Sequence, residues 1–287
     1  MAQVSGKTTI ATTTLPTGEA IPVLGQGTWT IADRPARRAE AIRALQAGID
    51  SGMTLIDTAE MYGDGASEEL VGEALNGRRD AAFIVTKVYP HNAGARSAVE
   101  ACERSLRRLG TDRIDLYLLH WRGSIPLAET VGAFQRLKAE GKLRHWGVSN
   151  FDVDDMEELL AVDGGAGVAA NQVLYNCGRR GIEFDLLGWQ AKRGIPVMAY
   201  SPIEQGRLPK HAALVAIAAR HPGATPAQVA LAWTLRGGHV CAIPQMGSPA
   251  HIQENRPAAA LALTADDLAE IDQAFPPPRA KRSLAML

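Results

Sequence analysis

This sequence lacks clustered cysteines, a complete nucleotide fingerprint, a charge bias and long apolar runs, and each absence removes a class of protein. Its cysteines number three in 287 residues, Cys102, Cys177 and Cys241, and they lie far apart. No C-x-x-C pair exists to hold zinc or run dithiol chemistry, and an odd set of dispersed thiols makes no disulfide framework. They read as incidental thiols of a reducing compartment. Lys and Arg total 30 against 31 Asp and Glu, a formal net charge of −1. That balance, spread along the chain, gives nucleic acid or an anionic membrane no footprint. No apolar run reaches the roughly 20 residues that a bilayer demands. Met1 to Leu15 is Thr-rich and holds no apolar export segment. A cytoplasmic protein is expected.

Two nucleotide-binding motifs are begun and not completed. Gly25-Gln26-Gly27-Thr28-Trp29-Thr30 supplies only the first two glycines of a dinucleotide fingerprint, and suits a tight backbone approach better. Gly6-Lys7-Thr8 resembles the end of a phosphate loop, but Met1 stands where its first glycine belongs.

What is present is a repeating alternation. With 46% hydrophobic and 21% charged residues, the chain can bury a large core, and residues 1–287 read as one domain. The segments around Thr8–Thr12 and Pro16–Val23 suggest a β-hairpin about a glycine turn. Strand-like runs then centre on Leu24–Trp29, Thr54–Asp57, Phe83–Val88, Ile114–His120, His145–Ser149, Ala169–Leu174, Pro196–Ser201 and Val240–Pro244. Several are nearly continuous apolar runs, as in strands covered on both faces.

Helix signals fall between these runs. Ser97-Ala98-Val99-Glu100 and Thr225-Pro226-Ala227-Gln228 read as capping boxes, and Gly110 as a left-handed stop. Asp33 precedes an apolar stripe of Ile42, Leu45 and Ile49. Thr264 should cap the last helix, and Pro276-Pro277-Pro278 should end it. Eight strand–helix repeats point to a (β/α)8 TIM barrel, with a doubly wound open sheet as the alternative.

Strand ends form the active-site face of such a barrel. Asp57, Lys87 and His120 each close a strand-like run, and Tyr62 follows Asp57 by five residues. A free phenol has a pKa of about 10, and a neighbouring ammonium lowers it. Lys87 could do this for Tyr62, Asp57 could balance Lys87, and His120 could hydrogen-bond a carbonyl oxygen. Taken singly, each has a plainer explanation: a turn cap, a packed aromatic, a solvated amine, a satisfied histidine. Four on one face favour proton transfer to a carbonyl.

These residues resemble those of the aldo-keto reductase family, and the resemblance spans nearly the whole chain. Asp57-Thr58-Ala59-Glu60-Met61-Tyr62-Gly63, Thr86-Lys87 and Leu118-Leu119-His120-Trp121 resemble the segments carrying its catalytic Asp, Tyr, Lys and His. Gly147-Val148-Ser149-Asn150-Phe151 and Gln172 resemble the groups that hold the nicotinamide carboxamide. Tyr200-Ser201-Pro202 resembles the segment whose Tyr stacks on the ring. Ile243-Pro244 and Ile252-Gln253-Glu254-Asn255 resemble its adenosine site. Compact bacterial, methylglyoxal reductase-like members look most similar.

The resemblance implies a barrel whose N-terminal hairpin closes the bottom, no metal, and reduction of small aldehydes and ketones to alcohols with NAD(P)H. It implies cofactor contacts from Gly27, Thr28, Ser149, Asn150, Gln172, Tyr200, Ser201, Pro202, Ile243, Gln245, Met246, Ser248, His251, Glu254 and Asn255. Gln245 and His251 stand where the family usually has a Lys and an Arg for the 2′-phosphate. NADP(H) is therefore expected with a weakened preference over NAD(H). Trp29 and Trp121 should line the substrate mouth. The short Ser201–Leu208 stretch argues against a deep steroid-type cleft. A monomer acting on a small carbonyl compound is expected, with weak self-association as the alternative.

Two other readings are compatible with parts of this pattern. A lysine at a barrel strand end suits a Schiff-base lyase, although pairing with Asp57 would keep the amine protonated. A reductase fold could also serve as a nucleotide-sensing protein with little turnover, which the complete set of four argues against.

Overall fold

The computed structural model describes residues 10–287. Within them a hairpin of β1 (Thr12–Thr14) and β2 (Ala20–Pro22) precedes eight strands: β3 (Gln26–Gly27), β4 (Leu55–Asp57), β5 (Phe83–Val88), β6 (Ile114–Leu119), β7 (Leu143–Ser149), β8 (Asn171–Leu174), β9 (Val197–Tyr200) and β10 (Val240–Ala242). Neighbours in sequence are neighbours in the sheet from β3 to β10, and every pair among the eight is parallel. Parallel bridges Leu24–Ala242 and Gly27–Gln245 join the two outer strands and close the ring. The alternation of strands and helices thus closes into a (β/α)8 barrel, and the open-sheet alternative is set aside. Thr8 and Thr9 of the expected hairpin lie outside the described residues.

Side-chain alternation along each strand builds the interior. Leu55, Val85, Leu116, Leu118, Ala170, Met198 and Cys241 form one buried cluster with Leu15 and Ile21 of the hairpin. Residues in the opposite phase, such as Ile56, Ile84 and Tyr117, pack against the helices. Glu19 of the hairpin pairs with Arg144 and His145 at the start of β7, at 2.6 Å each. The hairpin therefore plugs the N-terminal end of the barrel and leaves the other end open.

Local signals held in some places and failed in others. Thr225 and Thr264 form reciprocal capping boxes with Gln228 and Asp267, and Gly110 adopts φ 62° at its helix end. Ser97 does not cap: Arg96 occupies that position, and the Ser97 hydroxyl accepts from the Gly94 N–H at 3.1 Å. A local turn has captured the oxygen that would otherwise serve the helix. Asp33 precedes the helix Arg38–Asp50 that carries the stripe, with a 3-10 turn at Pro35–Arg37 between them. The first barrel strand shortens to Gln26–Gly27, where Gly27 must lie close to β10; a Cβ there would stand 2.7 Å from the Ile243 carbonyl oxygen.

Candidate active site

The interior cluster determines where the polar groups fall. Two residues beyond Leu55, Val85, Leu118, Ala170 and Met198 stand Asp57, Lys87, His120, Gln172 and Tyr200. Each shares the inward phase of the apolar residue beneath it, one step nearer the open end. Asp57, His120, Gln172 and Tyr200 line a cleft of about 960 Å³. Lys87 itself lies beneath the cleft wall and is fully buried.

The Lys87 ammonium donates to three oxygens: Asp57 Oδ2 at 2.8 Å, the Thr58 carbonyl at 2.7 Å and the Tyr62 hydroxyl at 3.2 Å. Its Nζ also stands 4.7 Å from the Tyr62 ring centroid. Since the phenol oxygen accepts from Lys87, its own hydrogen is free to point elsewhere. Burial works against the ammonium, but Asp57 and Tyr62 hold its pKa above the ordinary lysine value. Such an amine is protonated, which removes the lone pair a Schiff base needs.

Burial raises the Asp57 pKa, while Lys87 and Gln172 act in the opposite direction. For Tyr62, burial raises the pKa more than Lys87 lowers it, so the net shift is upward. The expectation of a depressed phenol therefore needs correction: in this site the desolvation exceeds the effect of the neighbouring cation. The group stands as a neutral O–H, the form that donates.

His120 lies beside Tyr62, with ring centroids 6.0 Å apart and nearly perpendicular. Burial, reinforced by the Lys87 charge, pushes its pKa down to about 2. It is a neutral imidazole, and its Nδ1 has no hydrogen-bond partner among the described residues.

A second polar set comes from the neighbouring strands. Ser149 Oγ donates to the Gln172 carbonyl at 2.8 Å, and the Tyr200 hydroxyl donates to Asn150 Oδ1 at 2.9 Å. Gln172 Nε2 donates to Asp57 Oδ1 at 2.7 Å, so one of its amide hydrogens is committed within the protein. Gly27, Thr28, Ser201, Pro202 and Ile243 line the same cleft. Gln245, His251, Glu254 and Asn255 line it too, beside β10 and on the helix Pro249–Asn255. Trp29, 46% exposed, and Trp121 border it.

Two expected contacts do not reach the cleft. Met246 is fully buried, its sulfur accepting from the Asn255 amide at 3.4 Å and its N–H bonded to the Gly27 carbonyl at the barrel seam. Ser248 caps the helix Pro249–Asn255, its hydroxyl accepting from the His251 N–H at 3.3 Å. The cleft also includes groups that sequence reasoning missed. Met61 was within reach, as the neighbour of Tyr62, whereas Met286 and Leu287 arrive from the chain end without a local signal.

The Aldo/keto reductase family model matches residues 23–275. The chain is 50% identical to methylglyoxal reductase YeaE of Escherichia coli K12 over 273 residues, which is 93% of this chain and 96% of that protein. It superposes on an aldo/keto reductase from Klebsiella pneumoniae solved with NADP and acetate, at TM-score 0.94 and 47% identity, covering 97% of this chain and 100% of the other. A Klebsiella pneumoniae aldo-keto reductase solved with NADPH gives TM-score 0.95 at 47% identity, covering 98% and 100%. The chain belongs to the aldo/keto reductase family. It is an NAD(P)H-dependent oxidoreductase that reduces carbonyl groups to alcohols.

Proposed function

We propose that this chain reduces small, reactive aldehydes of the methylglyoxal type, with NADPH as the favoured cofactor and Tyr62 as the proton donor. The observation that carries this reading is the Lys87 ammonium held 3.2 Å from the Tyr62 hydroxyl and 2.8 Å from the Asp57 carboxylate. The 50% identity to a methylglyoxal reductase supports the substrate class.

The donor set fits a nicotinamide dinucleotide. Ser149, Asn150 and Gln172 offer hydroxyl and amide groups to a carboxamide, and the Tyr200 ring is a stacking surface in the same cleft. Gly27, Thr28, Ser201, Pro202 and Ile243 would flank the cofactor, with His251, Glu254 and Asn255 beside its adenosine. The reduced nicotinamide supplies the hydride. As negative charge grows on the substrate oxygen, Tyr62 gives it a proton, and Lys87 stabilises the phenolate left behind. Asp57 keeps Lys87 charged and in place. The neutral His120 orients the carbonyl through a hydrogen bond without adding a second cation beside Lys87. Trp29 and Trp121 would limit the mouth to small substrates.

The preference for NADPH is proposed to be modest. Gln245 Nε2 is already bonded to the Trp29 carbonyl and the Thr30 hydroxyl, at 2.5 and 2.7 Å. A neutral amide so engaged grips a phosphate less well than a free cation. The cytoplasmic assignment is likewise a proposal, supported by three free, buried thiols. Among the described residues, no helix is long and apolar enough to cross a membrane.

The test follows reduced-nicotinamide absorbance with methylglyoxal as substrate. Tyr62→Phe should lower turnover by about 10²- to 10⁴-fold, the usual contribution of a positioned acid, while NADPH binding read by fluorescence is unchanged. Full activity in that variant would remove Tyr62 from its role.

A further inference from the structure

The helix Ala66–Ala74, which follows the Tyr62 loop, opens with two buried polar side chains, Ser67 at 1% and Glu68 at 0% exposure. Neither lines the cleft. Both reach the strand ends that carry the proposed proton-donating centre.

Ser67 completes a chain of hydroxyls. Thr58 Oγ1 donates to Ser67 Oγ at 3.1 Å, Ser67 Oγ donates to Thr28 Oγ1 at 2.7 Å, and Thr28 Oγ1 donates to the Asp57 carbonyl at 2.8 Å. Each hydroxyl gives its one hydrogen to the next, so the chain runs one way and ends on main chain. It ties the end of β3 and the end of β4 to the first turn of the helix. The segment it fixes, Asp57-Thr58, supplies two of the three oxygens that hold Lys87.

Glu68 makes the matching tie on the other side. Its Oε1 accepts from Thr86 Oγ1 at 2.6 Å, and its Oε2 accepts from Arg108 Nε at 2.6 Å. Thr86 directly precedes Lys87 on β5, in the outward phase. Arg108 lies in the helix Ser97–Leu109 and packs closely under Gly65, where an added Cβ would stand 2.4 Å from its Cδ. Gly65 holds φ 95° in the loop leaving Tyr62. A buried carboxylate is expensive, and an apolar residue could often fill such a space at no loss of stability. Its presence behind Lys87 therefore points to a task of register.

We propose that Ser67 and Glu68 are positioning residues for proton transfer. Ser67 fixes the segment that receives the Lys87 hydrogens, Glu68 fixes the strand that presents Lys87, and their adjacency sets the separation of the two. The distance from Lys87 to Tyr62 follows from that spacing. The proposal rests on the reading of Tyr62 as proton donor.

Thr86→Val removes the hydroxyl at constant shape, Thr86→Ser restores it, and Ser67→Ala breaks the other arm. With methylglyoxal and NADPH, both Thr86→Val and Ser67→Ala should lower kcat about tenfold, a cost in keeping with a displacement well under 1 Å. KM for both substrates should hold, and Thr86→Ser should recover the rate. In a Tyr62→Phe background, neither substitution should lower the residual rate further. Near-UV circular dichroism confirms folding of each variant. Parent-like kcat in both folded variants, or losses that multiply in full with that of Tyr62→Phe, would overturn the positioning role. An active Tyr62→Phe enzyme would instead remove the donor assignment itself, so the two failures are told apart.

Discussion

Gln172 and Asp57 are joined across the barrel by a 2.7 Å hydrogen bond, from an amide on β8 to a carboxylate on β4. The other oxygen of that carboxylate takes the Lys87 ammonium at 2.8 Å. Asp57 is thus satisfied on both oxygens while only 2% exposed. One consequence concerns stability. Asp57→Ala leaves a buried ammonium with its charge uncompensated, and should destabilise the fold by about 3–5 kcal/mol in urea titration. A double variant, Asp57→Asn with Lys87→Met, removes both charges and should recover most of that loss without recovering activity. An Asp57→Ala protein as stable as the parent would show that the two groups are not held as an ion pair.

The second prediction concerns pH and stability. Burial depresses the His120 pKa to about 2 in the folded protein, whereas an unfolded histidine titrates near 6.5. Between those values the unfolded chain binds the extra proton, so acidification favours unfolding. The stabilising effect of a neutral His120 is complete above about pH 6.5 and declines as pH falls below it. At pH 5 the loss from this group should be about 2 kcal/mol. His120→Asn lacks the titration, so its stability should vary less over that range. Parallel curves for the two proteins would count against the depressed pKa.

Turnover should obey different groups. A neutral imidazole throughout means no inflection in kcat near pH 6.5 in the reductive direction. The proposed donor is a phenol whose pKa is raised by burial, so its hydrogen is lost only above the ordinary phenol range near 10. The kcat profile with methylglyoxal is expected to be flat through neutrality and to fall only at strongly alkaline pH. A bell centred near neutrality would place another acid in the rate-limiting step.

How much of this was legible follows from where each signal resides. The inward phase of Leu55 and Asp57, Val85 and Lys87, and Leu118 and His120 is a property of two-residue spacing, so the sequence displays it directly. Ser67 and Glu68 were not legible, because polar residues opening a helix look like a solvated first turn until strands cover them. The Ser97 capping signal misled because the Gly94 N–H competes for the same oxygen, a choice that spacing does not encode. Met246 sits in a segment that resembles an adenosine site, yet barrel closure turns it into the seam with Gly27. Met286 and Leu287 enter the cleft by long-range packing alone.

Cofactor choice can be shifted at one position. Gln245 lines the cleft and directs its amide to the Trp29 loop. Gln245→Lys would place a cation there, and charge-assisted bonds to phosphate are roughly twice as strong as neutral ones. The ratio of kcat/KM for NADPH over NADH should rise about tenfold, almost wholly through the NADPH term, consistent with one added charged hydrogen bond. A fall in both values together would mean that the lost contact to the Trp29 loop outweighs the added charge.

The opposite end of the barrel should affect stability and leave catalysis alone. Glu19, in the hairpin, accepts from Arg144 at one oxygen and contacts the His145 ring at the other, 2.6 Å each, while Arg144 also reaches Asp115 at 3.0 Å. Glu19 is one-quarter exposed, so water screens the pairing and its worth is discounted to about 1 kcal/mol. Glu19→Ala should lower the free energy of unfolding in urea titration by that amount, with kcat and KM for methylglyoxal unchanged, because Leu15 and Ile21 keep the plug seated in the apolar interior. Ile21→Ala should cost more, about 2–5 kcal/mol, since it opens a cavity in that interior. If Glu19→Ala instead altered kcat at constant stability, the hairpin would be coupled to the open face, and the division of labour between the two ends of this barrel would fail.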